Sequence, residues 1–365
     1  MKKVLFFSPI YPTGGIATCS LNIIDFVTKN KITNFVFCDG SIYHKKAGQS
    51  STIRRIYSGV LDTCRLVMNY IKAVKTSKPD VIHINTSASW ALYKDWIYLK
   101  IAKYFHCEVV FQYHFGRIPE LKKVQNWEWK LLLKNIKASK HVIVIDPLSK
   151  KVLDDEGLKN KVTYIPNPCS IELGAIAKEK VGDKEVDSYV FVGHVIPAKG
   201  VYELVEAFAE ITKTLKLTLI GLVTEQMKKD LECIAAKKDD GKWLSIVGNK
   251  RLGYIYEKMK SATALILPSY TEGFPNVVLE AMACGCPVIA TNVGAIPDMV
   301  SSIDEQKACG ICILPHSKDI LKRTILDFEN NKNRQYVYAI NGKKKILSSY
   351  TIDKIFSQYQ QVWNL

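Results

Sequence analysis

Two glutamates, Glu272 and Glu280, stand eight residues apart in the stretch Pro268-Ser-Tyr-Thr-Glu-Gly-Phe-Pro-Asn-Val-Val-Leu-Glu-Ala-Met-Ala-Cys-Gly-Cys-Pro-Val-Ile-Ala-Thr291. An apolar run that reads as a strand ends at Leu267, a loop containing Gly and Pro follows, and helical spacing begins near Asn276. The first N–H groups of a helix lack an intrahelical acceptor and carry the positive end of its dipole, which suits a diphosphate. Carboxylates accept hydrogen bonds from paired hydroxyls, so acids beside such a turn suit a ribose and a sugar. The plainer alternative is that Glu272 caps the helix and Glu280 is an ordinary helical glutamate.

The elements that must position these residues repeat along the whole chain of 365 residues. Short β-rich apolar runs alternate with amphipathic stretches of helical length, the pattern of a parallel sheet covered by helices. Strands are expected at Val4–Ser8, Phe35–Cys38, Val81–Asn85, Val109–His114, His141–Ile145 and Val162–Ile165. The segment Pro166–Lys184 reads as a linker, after which strands restart at Tyr189–Val192, Leu217–Ile220, Leu244–Val247, Ala264–Leu267, Val288–Ala290 and Ile311–Leu314. Among the helices between them are one at 120–138 and one at 276–284, and the tail from about 331 to 363 reads as helical throughout. Two doubly wound, Rossmann-like α/β domains follow, and ligands of such sheets bind beyond the carboxyl ends of the strands. The natural site for two such domains is a cleft between them.

Composition narrows the class. No apolar run approaches the ~18 residues of a membrane span, and the stretch after Met1-Lys-Lys stops at Ser8-Pro9, too short for the core of a signal peptide. The expected location is the cytoplasm, which suits ten mostly scattered cysteines. Cys309-Gly-Ile-Cys312 has the spacing of a redox or metal pair but falls in a strand pattern, so buried thiols are expected there. The charge is uneven: residues 1–170 hold 26 basic and 12 acidic side chains, a net +14, whereas 171–365 hold 25 and 23, a net +2. A partner carrying negative charge is implied for the first half: nucleic acid, an anionic membrane or a phosphorylated substrate. Nucleic acid is disfavoured because the basic residues are dispersed and no recognised binding motif occurs.

The stretch from Glu272 to Thr291 resembles the Glu-x7-Glu signature of the GT-B retaining glycosyltransferases of family 4. Val192-Gly-His-Val-Ile-Pro-Ala-Lys199-Gly200 is similar to the Gly-Arg…Lys-Gly segment that opens the C-terminal domain of that family, Ile165-Pro-Asn-Pro to its Ile-Pro-Asn-Gly, and Gly14-Gly15 to its N-terminal glycine loop. The resemblance runs from about residue 4 to residue 315. It implies an acceptor-binding domain at 1–170 and a nucleotide-sugar-binding domain at 171–347, with a helix at about 348–365 as a candidate to pack back on the first.

Carried over by position, the resemblance implies that Glu280 holds the nucleotide ribose and Glu272 the hydroxyls of the transferred sugar. Lys199 would neutralise the diphosphate with the backbone N–H groups of Phe274, Asn276 and Val277, in the loop that includes Gly273 and Pro275. His194 stands where the family has arginine. Either His194 is protonated by the diphosphate, or another cation such as Lys250 or Arg251 takes its place. His114 resembles the histidine of the acceptor-side domain that contacts the donor sugar, whereas His83 reads as structural.

The implied activity is retaining transfer of a sugar from a UDP- or GDP-linked donor, the leaving diphosphate helping to take the acceptor proton. No Asp-x-Asp motif occurs, so no metal or other cofactor is expected. Two stretches, 89–105 and 121–137, interleave Trp and Tyr with lysine at helical spacing. These either lie in a membrane interface or pack on the sheet with their lysines in water. The expected acceptor is a glycan or a polyprenyl-diphosphate-linked glycan, an intermediate of cell-surface polysaccharide synthesis (capsule or lipopolysaccharide) at an anionic membrane surface. The competing reading is a basic, non-catalytic scaffold or nucleic-acid-binding protein with a degenerate sugar site. An epimerase or phosphorylase is disfavoured, since nothing marks a pyridoxal lysine.

Overall fold

A computed structural model describes residues 2–12, 14–42, 52–185, 187–211, 213 and 215–365. The chain divides into two compact units, residues 1–168 with 352–365, and residues 169–351. The boundaries differ from those expected at 170 and 347. The backbone N–H of Cys169 donates to the carbonyl of Tyr350, which keeps both ends of the second segment in one unit.

The first unit holds strands β1 (Val4–Ser8), β2 (Phe35–Asp39), β3 (Val81–Thr86), β4 (Glu108–Tyr113), β5 (His141–Val144) and β6 (Val162–Tyr164). They form one parallel sheet in the order β2-β1-β3-β4-β5-β6. Helices α1 (Gly15–Lys29), α2 (Thr52–Ser77), α3 (Ala91–Tyr104), α4 (Ile118–Val124), α5 (Trp127–Ala138) and α6 (Pro147–Leu153) connect the strands. A parallel sheet is covered on both faces, so its central strands read as unbroken apolar runs. Val4 to Ser8 and Val81 to Thr86 are buried at every position, and only the edge strand β2 is half-buried along its length.

The second unit repeats the plan with α7 (Ile171–Lys178), β7 (Ser188–Val192), α8 (Val201–Glu210), β8 (Lys216–Ile220), α9 (Glu225–Ala235), β9 (Leu244–Ile246) and α10 (Leu252–Ser261). It continues through β10 (Ala264–Leu267), α11 (Asn276–Ala283), β11 (Val288–Thr291), α12 (Ile296–Val300), β12 (Gly310–Ile313), α13 (Lys318–Glu329) and α14 (Lys332–Lys345). Its sheet order is β12-β11-β10-β7-β8-β9. Helix α15 (Ile352–Asn364) returns to the first unit and lies on α1, where Phe356 meets Phe26 at 5.2 Å between ring centroids.

Three expectations about elements are corrected. The segment 166–184 is not a plain linker but contains α7, which starts where the Ser170 hydroxyl accepts the N–H of Leu173 and which buries Leu173, Ile176 and Ala177. The helix expected at 120–138 is two helices, because Gln125 takes a left-handed conformation and Asn126 caps α5 through the N–H groups of Glu128 and Trp129. The tail is broken at Thr351, which is extended, so α14 and α15 belong to different units. All ten cysteines are free; Cys309 is buried, and Cys312 on β12 takes a hydrogen bond from the Ser301 hydroxyl at 3.2 Å.

Candidate active site

Each sheet has one point where the strand order reverses, between β1 and β3 in the first unit and between β7 and β10 in the second. Loops leaving the carboxyl ends of strands there diverge and leave room for a ligand.

In the second unit the two diverging loops carry the residues singled out by spacing. Nζ of Lys199, in the loop after β7, lies 2.6 Å from Oε1 of Glu272, in the loop after β10. A backbone bond from Tyr270 N–H to the Ala198 carbonyl at 3.0 Å joins the same loops. Glycine is required at both supports of this contact. Gly200 has φ 65°, and a Cβ there would sit 2.2 Å from the Pro268 carbonyl oxygen. Gly294 has φ 57°, and its Cβ would meet the carbonyls of Glu272 and Gly273 at 2.4 and 2.5 Å. Neither distance is tolerable for a side chain.

The plainer reading of Glu272 as a helix cap is overturned. Helix α11 begins at Asn276 with Pro275 as its cap, no side chain caps it, and no acid occupies its first turn. Glu272 therefore does not cap the helix. Phe274 is buried against Tyr350, which fixes the turn before Pro275–Asn276, and Val277 follows in the first turn. Glu280 has no hydrogen-bond or ion-pair partner among the described residues, and burial pushes its carboxyl up to about 7. An acid held without a donor is ready to receive hydroxyls.

The remaining candidates for the diphosphate are spread along the same edge. His194 follows β7 and is exposed. Lys250 and Arg251 follow β9, two strands from β7 and so roughly 10 Å along the sheet. Lys250 lies over the Tyr254 ring at 5.5 Å, and neither cation forms an ion pair among the described residues.

In the first unit, Gly14 precedes α1 with φ 177°, and a Cβ at Gly15 would meet nothing within 4 Å. The turn does not require these glycines, so any reason for them lies in the space they leave. His114 lies one residue beyond β4 rather than ending it. Its Nε2 is 3.0 Å from Oδ1 of Asn85, its Nδ1 is buried without a partner, and burial beside His83 pushes the ring down to about 3. His83 is wholly buried, as expected for a structural histidine.

Two features had no signal in the sequence. Tyr270 donates its hydroxyl to Glu203 and stacks on His316 at 3.7 Å, bracing the Glu272 loop. Asp95 is buried, accepts the Thr86 hydroxyl at 2.8 and 2.9 Å, and is pushed up to about 8 by burial. It lines a cavity of about 90 Å³ with Asn85 and Lys94 beside the β1–β3 reversal. The first depends on contacts between residues far apart in the chain, and the second on a strand end and a helix face that only the fold brings together.

Two six-stranded parallel units with these loops define a GT-B architecture. The family described as Glycosyltransferase Family 4 matches residues 13–173, and Glycosyl transferases group 1 matches residues 175–345. The chain therefore belongs to the family 4 glycosyltransferases of GT-B fold. An uncharacterized glycosyltransferase of Methanocaldococcus jannaschii is 30% identical over 56% of this chain and 54% of its own length. An uncharacterized 41.2 kDa protein in the cps region of Klebsiella pneumoniae is 28% identical over 79% of this chain and 80% of its own. A capsular polysaccharide biosynthesis glycosyltransferase of Staphylococcus aureus is 24% identical over 62% and 59%. The match thus spans little more than half the length of two of these three relatives. Among solved structures, an Anabaena protein in complex with UDP-glucose superposes with a TM-score of 0.73 at 17% identity, covering 100% of both chains. A lipopolysaccharide outer core galactosyltransferase in its apo form gives 0.71 at 19% identity, covering 99% of both.

Proposed function

We propose that the chain transfers a sugar from a nucleoside-diphosphate sugar, UDP- or GDP-linked, to a glycan acceptor, with retention and without a required metal ion. The observation that carries this reading is the Lys199–Glu272 contact at the β7–β10 reversal, beside the uncapped start of α11. Cleavage of the donor places positive charge on the sugar and negative charge on the leaving diphosphate. Lys199 and the first N–H groups of α11 stabilise the diphosphate, and one of its oxygens takes the acceptor proton. Glu272 exchanges its partner Lys199 for sugar hydroxyls when the phosphates attract that lysine. Glu280 receives the ribose hydroxyls, and His114 accepts from a hydroxyl of the transferred sugar. Crystal structures of neighbours in complex with UDP and with UDP-glucose support uridine among the candidate bases.

The test is a nucleotide screen by thermal shift across pH. One of UDP, GDP or ADP raises the melting temperature, and a chain without a sugar-nucleotide site responds to none. Because hydroxyl donors favour the ionised carboxylate, wild-type affinity rises with pH through about 7, and the Glu280→Gln variant lacks that part of the rise. In the absence of nucleotide the sign is opposite. The folded state holds a proton on Glu280 that the unfolded chain releases at lower pH, so stability falls as pH climbs toward 7. Equal pH profiles for wild type and Glu280→Gln would remove the ribose assignment.

We infer that the acceptor is lipid-linked and met at an anionic membrane. No described helix is long and apolar enough to cross a membrane. Support comes instead from the surface formed by α3 and α5. Trp90, Tyr93 and Trp127 are 75, 46 and 42% exposed and lie against one another at 5.4–5.7 Å. On the same helices, Lys100 and Lys134 flank Trp96 at 4.8 and 4.1 Å, and Trp96 lines a groove of about 530 Å³ with Lys130, Lys134 and Lys137. The inward faces of the same helices bury Leu99, Trp129 and Leu132, so packing on the sheet and an aromatic-basic outer face coexist. The protein is expected to sediment with phosphatidylglycerol vesicles at low salt and to be released by about 0.5 M salt, where the Debye length falls to roughly 4 Å. A supernatant fraction unaffected by vesicles would remove the membrane assignment.

A further inference from the structure

A connected chain of buried polar groups runs from α15 to the imidazole of His114, and its bond directions can be assigned in order. The indole N–H of Trp363 lies 3.0 Å from Nδ1 of His83. An indole nitrogen only donates, so Nδ1 of His83 is unprotonated. Burial pushes His83 down to about 4, and the neutral ring therefore carries its proton on Nε2. That N–H faces Oδ1 of Asn85 at 3.2 Å and Oε1 of Gln112 at 3.0 Å. The amide nitrogen of Gln112 donates in turn to the Tyr359 hydroxyl at 3.0 Å.

Asn85 is oriented from its other end as well. Its Nδ2 faces the hydroxyls of Ser8 at 2.9 Å and Ser20 at 3.3 Å. Ser20 spends its own proton on the carbonyl of Ile16 at 2.8 Å, so it accepts from the amide. Oδ1 of Asn85 is thereby held as an acceptor. The Nε2 atom of His114, 3.0 Å from the same oxygen, makes a bond there only if it carries a proton. Burial keeps this ring neutral too, which leaves Nδ1 with a bare lone pair, and that atom is buried without any partner.

We propose that Asn85 and Trp363 are positioning residues that hold His114 as its Nε2–H tautomer, so that Nδ1 accepts one hydroxyl of the transferred sugar. This rests on the reading of His114 as a sugar contact given above. The tautomer of His83 follows from a donor-only N–H 280 residues later in the chain, and both rings then donate to the same Asn85 oxygen. A ring in the opposite tautomer would present a donor to the sugar and leave two acceptors facing each other at Asn85.

The experiment is long-range ¹H–¹⁵N correlation on the full chain with ¹⁵N-labelled histidine, without nucleotide, the seven histidines being separated by His83→Phe and His114→Phe spectra. Wild-type His114 is expected to be neutral and protonated on Nε2. Trp363→Phe keeps the ring packing but removes the N–H, and a mixture of His114 tautomers appears. Its kcat falls roughly tenfold at nearly unchanged KM, the usual scale for loss of a partner that orients a functional histidine. Asn85→Asp keeps the acceptor and the tautomer, whereas Asn85→Leu loses the tautomer; should the latter fail to fold, Trp363→Phe carries the test alone. An Nδ1–H ring in the wild type, or an unchanged His114 signal in Trp363→Phe, overturns the proposal. If the tautomer is as stated but His114→Ala transfers sugar at the wild-type rate, the sugar contact is refuted together with the reading it rests on.

Discussion

Lys199→Ala and Glu272→Ala each lower kcat for sugar transfer by on the order of 10²–10³-fold, the scale for removing one group aimed at charge that develops in the transition state. The two variants fail for different reasons. Lys199→Ala loses stabilisation of the leaving diphosphate, so weaker nucleotide binding accompanies the slower chemistry. Glu272→Ala loses the grip on the sugar, and its affinity for the free nucleoside diphosphate holds or improves, since Lys199 is released from its 2.6 Å partner. The double variant is no worse than the poorer single one by more than a few-fold, because residues acting as a unit are strongly non-additive. Steady-state transfer and nucleotide titration on all three proteins check this. Wild-type turnover in either single variant would refute the site assignment. Both side chains are part-exposed, so the fold is expected to survive, as circular dichroism would show.

Gly200→Ala has the largest expected effect on stability. The residue is left-handed, and its Cβ would meet a backbone oxygen, which cannot swing aside as a side-chain tip can. Strain and overpacking together destabilise by about 3 kcal/mol, or a fall in melting temperature of roughly 6–12 °C for a unit of this size. The relief open to the protein is to separate the loops after β7 and β10, which also parts Lys199 from Glu272. Transfer therefore falls even in the molecules that stay folded. Gly174→Ala is the control: its Cβ meets nothing within 4 Å inside α7, and stability should hold or rise slightly. A Gly200→Ala protein with unchanged melting temperature would contradict the packing described here.

The fold was legible in the sequence because a doubly covered parallel sheet writes each central strand as an unbroken apolar run. Val4-Leu-Phe-Phe and Ala264-Leu-Ile-Leu are strands by composition alone, and the structure keeps them at those positions. What failed were boundaries decided by one residue's conformation or cap. Gln125 could have continued a helix but is left-handed, and Ser170 starts one after a Pro-Asn-Pro run that reads as loop. The start of α11 and its two acids were visible, since helix onset and residue type are local. Their partners were not. The Lys199–Glu272 contact spans 73 residues and exists because β7 pairs with β10, a fact of strand order. The environment of Glu280 was equally hidden, because its burial depends on what packs over the helix.

The return of α15 to the first unit has a consequence for biosynthesis. Residues 169–351 are contiguous and can fold once they have left the ribosome, but the sheet that begins at Val4 waits for residues 352–365. Until Trp363 emerges, His83 and Gln112 lack their donor and acceptor, and the apolar side of α1 lacks the cover of Phe356. The segment made first is thus completed only after the one made second, and a chain interrupted before Trp363 would have one half settled and the other still exposed to chaperones and proteases.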